Sequence, residues 1–177
     1  QSHCEINDGK FKETDYQGVL FPIEKIQGSI YSANGALVRL NQNGNKLDYL
    51  DTINVSEVWS MFYANDYTIL TGRSPGLFAF NLSTKETHEL LADNANWPKP
   101  QNVYRFLKCN AKGLVAVAEN GLFVISNDLR VIDYFGKDAI ADDHRIPVAR
   151  IYDWREDSKG NCWIASGGEG LFSWRWE

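Results

Sequence analysis

Four short apolar runs, each entered through a glycine and a leucine, recur along the chain, and their spacing limits its fold more than any other feature. The glycines are Gly35 (in Gly35-Ala36-Leu37), Gly76, Gly121 and Gly170, the last three directly followed by Leu77, Leu122 and Leu171. They stand 41, 45 and 49 residues apart. Before each lies a second apolar run: Ser29–Ala33, Thr68–Arg73, Val115–Ala118 and Cys162–Ser166. The shared order is strand, turn, strand. Repeats of roughly 40–50 residues that hold several strands are those of propeller blades.

Flanking segments complete the units. Val58–Tyr63, Val103–Leu107 and Arg150–Trp154 read as strands ahead of the second, third and fourth cores, and Lys46–Leu50, Glu86–Leu91 and Leu129–Tyr134 as strands behind the first three. Within them, both alternating sets are apolar, as in Leu77/Ala79 against Phe78/Phe80, which suits strands covered on both faces by neighbouring sheets. Aromatic residues make up 13% of the chain and Gly contributes 14 residues, a pairing that favours many short strands joined by tight turns. Helical signal is nearly absent. The stretch 138–144 has room for one short turn, but Pro147 and its charges suit a loop better.

The expected fold is therefore all-β: residues 1–177 form one β-propeller unit of about four four-stranded antiparallel blades, near 16–51, 58–91, 103–135 and 150–177. The fourth is incomplete, because its outer strand has no sequence left to form it. Residues 6–14 offer a weak candidate to complete it from the other terminus. The preferred expectation is that these blades belong to a larger propeller.

The last unit is the most diagnostic. It runs from Arg150 and Ile151 through Glu156-Asp157-Ser158-Lys159-Gly160-Asn161 to Trp163-Ile164-Ala165-Ser166 and Gly170-Leu171-Phe172. This resembles the two-component regulator propeller repeat: an Ile-bearing strand, Glu-Asp, Gly-Asn, Trp-Ile with two small residues, and Gly-Leu-aromatic. Ala165-Ser166 stands where that family has Gly-Thr. The resemblance runs from about residue 18, strongly only over the last 27 or so; the earlier units look like divergent copies. It implies an extracytoplasmic, ligand-sensing segment of a two-component sensor, on the periplasmic or extracellular side of a bacterial membrane. Many such sensors respond to oligosaccharides. A kinase outside this chain would receive the signal, and any membrane contact would come only through downstream segments. The alternative is a stand-alone propeller serving as a protein-interaction scaffold, completed by pairing of two chains.

Read as chemistry, the repeat motif specifies a blade and no reaction. Asp157 can bond backbone within the turn it opens, Gly160 supplies positive φ, Trp163 offers a large surface between blades, and Gly170 permits a close approach before Leu171 enters the sheet. The acidic group Asp153, Glu156 and Asp157 lacks the alternating oxygen ligands of a calcium loop. His3, His88 and His144 are scattered without metal spacing, so no metal and no cofactor are expected. No nucleophile elbow or P-loop is present, and the run 167–170 leads into a strand, where a phosphate loop would lead into a helix. The chain is read as no enzyme. A net charge of -5 also argues against nucleic acid as a partner. Cys4, Cys109 and Cys162 lie far apart with no framework spacing, and the latter two read as buried thiols.

Binding sites on such folds form where equivalent loops meet. Those loops are Ala33–Asn34, Gly72–Pro75, Glu119–Asn120 and Gly167–Glu169. Arg73 and Glu119 are the side chains expected to meet a shared small-molecule or oligosaccharide ligand, and Trp97 offers a stacking face. The partners expected are that ligand and, at the open edge, the remaining blades or a second copy of the chain.

Overall fold

The computed structural model describes the backbone of residues 3–7, 10–14, 23–26, 29–33, 36–43 and 46–56, and of 58–175 apart from 66, 74, 110 and 111. Side chains are described from residue 58 to 175, with those four and 174 excepted. The leading strands β1 (His3–Asn7) and β2 (Lys10–Thr14) pair with each other as a two-stranded antiparallel sheet. Of residues 6–14, Ile6, Asn7 and the five residues of β2 therefore belong to this separate sheet and not to the last one.

Four further antiparallel sheets follow in chain order. The first holds β3 (Ile23–Ile26), β4 (Ser29–Ala33), β5 (Ala36–Asn43) and β6 (Lys46–Ser56). The second holds β7 (Ser60–Asn65), β8 (Thr68–Arg73), β9 (Gly76–Asn81) and β10 (Thr87–Glu89). The third holds β11 (Arg105–Cys109), β12 (Gly113–Ala118), β13 (Gly121–Ile125) and β14 (Val131–Phe135), and the fourth β15 (Ile151–Glu156), β16 (Asn161–Ser166) and β17 (Leu171–Arg175). Every sheet is a meander, so neighbours in sequence are neighbours in space. This is a β-propeller architecture. Outside the strands, residues Asp142–His144 make a single 3₁₀ turn inside the segment read as a loop.

The glycines set the register. Arg73 pairs with Gly76, Ala118 with Gly121, and Ser166 N–H donates to Gly170 C=O at 3.0 Å, so each Gly-Leu step turns the second strand of its sheet into the third. Gly76 and Gly170 hold φ of +122° and +99°, backbone that residues with a Cβ seldom adopt.

Alternation then sorts side chains onto two faces. Leu70, Leu77 and Ala79 of the second sheet pack against Phe106, Ala116 and Phe123 of the third. Val115, Val117, Leu122 and Val124 leave the opposite face of the third sheet and pack against Trp154, Cys162 and Ile164 of the fourth. Trp154 fills the space between the third and fourth sheets, while Trp163, one strand over on the other face, points away from it and is exposed.

Trp163 also has a local role. The Asp157 carboxylate accepts from the Lys159 N–H at 2.9 Å, the Asn161 N–H at 2.9 Å, the Asn161 side-chain amide at 2.9 Å and the Trp163 indole N–H at 3.1 Å. Bonds from Asn161 first, then from Trp163, hold this carboxyl well below the usual carboxylate range. Gly160 completes the turn at φ +79°.

Cys109 and Cys162 are buried thiols in the core between the third and fourth sheets. Burial pushes the Cys162 thiol from 9.0 up to about 12, although a hydrogen bond with Trp154 pulls the other way. The raised value means stability is fully present below the ordinary thiol range and is lost as pH rises toward 12. In the native protein at pH 8, iodoacetamide is therefore expected to label Cys162 far more slowly than in urea. Equal labelling rates, read by mass spectrometry, would refute a closed core here.

Candidate ligand-binding site

The loops that join second to third strands and those that join one sheet to the next leave the sheets at the same end. At that end each sheet's first strand, the one that approaches its counterpart in the next sheet, begins. Residues Trp59 and Tyr104 occupy matching places one step ahead of β7 and β11: Trp59 N–H donates to Gly72 C=O at 3.1 Å and Tyr104 N–H to Val117 C=O at 2.9 Å. Tyr152, at the bulged start of β15, lies at the same end. All three rings are exposed. Tyr104 and Tyr152 meet edge to face with ring centroids 5.7 Å apart.

Glu119 organises the polar groups beneath this pair. Its carboxylate accepts from Asn102 Nδ2 at 2.5 Å and Tyr104 OH at 3.4 Å, and it pairs with Arg150 Nε at 3.0 Å. Its backbone ties two loops together, with Glu119 N–H donating to Gln101 C=O at 2.8 Å and its C=O accepting from Ile151 N–H at 2.9 Å. Burial, then the nearby Glu119 charge, raises the Tyr104 hydroxyl, so it stays a neutral donor at any ordinary pH. Asn102 sits at φ +45°, a conformation that Asn tolerates better than most residues.

Two cross-sheet links fix the strands that carry these rings. Ser60 Oγ donates to Val103 C=O at 2.8 Å, joining the start of β7 to the approach of β11. Arg105 Nη1 meets Asp153 Oδ1 at 2.9 Å, joining β11 to β15. That ion pair is half exposed and worth at most about 1 kcal/mol, so it orients more than it stabilises. Gly167 keeps Tyr152 close: a Cβ there would come to 3.1 Å from Tyr152 Cζ and 3.2 Å from Arg150 Cβ.

Of the residues expected to meet a ligand, the structure brings only Glu119 into this cluster. The Arg73 guanidinium lies 4.1 Å over the Phe78 ring of its own sheet, a cation–π arrangement. Trp97 is half-buried against the core between the second and third sheets, and with Leu91, Pro98 and Lys99 it lines a separate cleft of about 280 Å³. Its loop is anchored by the Asn120 side chain, which accepts from Gln101 N–H at 2.8 Å and donates to Lys99 C=O at 2.9 Å. A larger cleft of about 610 Å³, lined by Phe62, Lys108 and Leu129, opens at the other end of the same two sheets. The Ala33–Asn34 loop falls at the end of β4, with Asn34 outside the described residues. Sequence reasoning missed Trp59, Tyr104, Arg150 and Tyr152. Their signal was a large or charged residue at the start of the first strand in the second, third and fourth sheets, directly after the segment that joins one sheet to the next.

The arrangement offers apolar ring faces beside a fixed carboxylate, an amide and a guanidinium. That suits a ligand with both apolar faces and hydroxyls. Among the described residues no three His, Cys, Asp or Glu side chains gather as a metal site. His144 stacks on Phe135 at 4.2 Å and bonds Asp133 at 2.9 Å.

No protein-family model and no curated protein matches the sequence. Solved structures do. Two extracellular domains of hybrid two-component systems from B. thetaiotaomicron align over 86% and 88% of this chain, with TM-scores of 0.59 and 0.63 and identities of 16% and 15%. The WD40 β-propeller domain of Doa1 aligns over 89% of this chain and 51% of its own, with TM-score 0.60 and 10% identity. The chain spans 19% and 21% of the two bacterial chains, about a fifth of each. At these identities the likeness shows one thing, that the chain has the fold of a β-propeller.

Proposed function

We propose that this chain is a ligand-sensing segment of the extracytoplasmic propeller of a two-component sensor, that its ligand is a carbohydrate, and that the signal passes to a kinase outside these 177 residues. The observation that carries the reading is the exposed Tyr104–Tyr152 pair above the Glu119–Arg150–Asn102 network. Sugar rings present C–H faces that pack on aromatic surfaces and hydroxyls that need paired donors and acceptors, and the cluster supplies both. The fold shared with extracellular domains of two-component systems supports the placement. The last unit's resemblance to the regulator propeller repeat supports it as well.

Calorimetric titration of the purified chain with a panel of neutral and acidic oligosaccharides tests the proposal. At least one member is expected to bind. The double variant Tyr104→Ala/Tyr152→Ala should weaken it at least about tenfold, or about 1.4 kcal/mol, with the circular-dichroism spectrum unchanged. A panel with no binder, or a binder that the double variant leaves undiminished, would overturn the assignment.

A further inference from the structure

We propose that the cleft between the second and third sheets, at the end away from the Tyr104–Tyr152 rim, is a second binding site, and that it takes a small apolar molecule with one anionic head group. Equivalent positions show that the opening is particular to this place. Ile69, Leu114 and Cys162 each pair with the residue three places after the repeat leucine of their sheet: Phe80, Ile125 and Trp174. Ile69 and Cys162 are 0% exposed. Leu114 is only partly buried, and it lines a cavity of about 610 Å³. Both walls bend there. β7 shifts its register on β8 between Tyr63 and Asn65, and β13 shifts on β14 between Val124 and Ile125. Bulges of this kind turn a strand aside and recur next to active sites.

The lining divides into an apolar wall and one charge. Phe62, Leu114, Ile125 and Leu129 give the wall, and Gly113, with open space where a Cβ would stand, leaves room between them. Leu129 holds φ +61°, left-handed backbone that costs a residue with a Cβ about 1–2 kcal/mol. The Lys108 ammonium stands 5.9 Å from the centre of the Phe62 ring. It is exposed, no carboxylate pairs with it among the described residues, and it is the one charged group among the described lining residues. Asp128, in the turn that carries Leu129, bonds Ser126 and lies near Arg130 instead. The volume falls within the roughly 300–1,000 Å³ of small-molecule sites, which are mostly apolar with a few polar groups that fix orientation. An unpaired cation beside an apolar cavity complements a ligand that buries a chain or ring and leaves its anion at the mouth.

Titration of the chain with 6-phenylhexanoate, followed by calorimetry and by amide NMR shifts, tests the site. Saturable binding is expected, with shifts at Gly113 and Ser126 and none at Tyr104 or Glu119. Removing the charge from either partner, by Lys108→Gln or by using the neutral 6-phenylhexan-1-ol, should weaken binding at least about threefold, as befits a partly exposed charge contact. Lys108→Arg should keep most of the affinity. Tyr104→Ala/Tyr152→Ala should leave it unchanged, so this site and the oligosaccharide reading can fail separately. The proposal is overturned by the absence of saturable binding, by equal affinity for the alcohol or in Lys108→Gln, or by loss of binding in the tyrosine variant.

Discussion

Trp154→Ala is expected to cost about 3–5 kcal/mol of folding stability, the range for truncating a large buried aromatic. Trp154 is buried on β15 beside Ile164, its partner across the ladder, and packs into the cluster that includes Val115, Val117, Cys162 and Phe172. Truncation opens a void bounded on one side by the third sheet and on the other by its own, and neither can collapse without breaking a ladder. Against a total stability of about 5–15 kcal/mol the loss is large, and it should lower Tm by on the order of 10 °C. The informative control is Trp163→Ala. That ring is exposed and gives up one hydrogen bond to the Asp157 turn, so its removal should cost about 1 kcal/mol or less in the isolated chain. Urea denaturation followed by circular dichroism separates the two. Equal losses would mean that the two faces of the fourth sheet have been assigned the wrong way round.

That pair of tryptophans marks where sequence stops being informative. The repeat itself was legible because Gly-Leu steps at Gly76, Gly121 and Gly170 carry a backbone requirement that few other residues meet, and the requirement recurs at blade spacing. Strand identity followed from it. Which alternating set meets a neighbour did not, because sheets covered on both faces are apolar on both, and period two has no sign. Trp154 and Trp163 are both placed well by alternation; only the position of the third sheet decides between them. The candidate site was legible at one residue. Glu119 announced itself as a charge in a short turn between two apolar runs. Arg73 gave the same signal but finds a ring within its own hairpin at Phe78. Trp59, Tyr104 and Tyr152 read as ordinary strand aromatics, since their exposure comes from sitting at the ends of first strands where covering sheets stop.

The last expectation ties fold to site through Gly72. A Cβ added there would collide with Ser60 Oγ and with the Cβ and Cγ1 of Val103, and Val103 is fully buried and unable to move aside. Gly72→Ala must therefore displace the segment that leads into β11, and with it the Ser60–Val103 hydrogen bond. Overpacking of this kind costs about 1–3 kcal/mol and the lost bond about 1 kcal/mol more. The same shift should reach the ligand face, because Trp59 hangs on Gly72 C=O and Tyr104 follows Val103 directly. Gly113→Ala separates close approach from backbone strain: Gly113 has φ +81° but open space at its Cβ, so its substitution should cost about 1–2 kcal/mol of strain and leave oligosaccharide affinity unchanged. Thermal melts and titrations on both variants decide the matter. If Gly72→Ala melted no lower than Gly113→Ala and bound ligand as the parent does, the contact at Gly72 would not be what positions the aromatic rim.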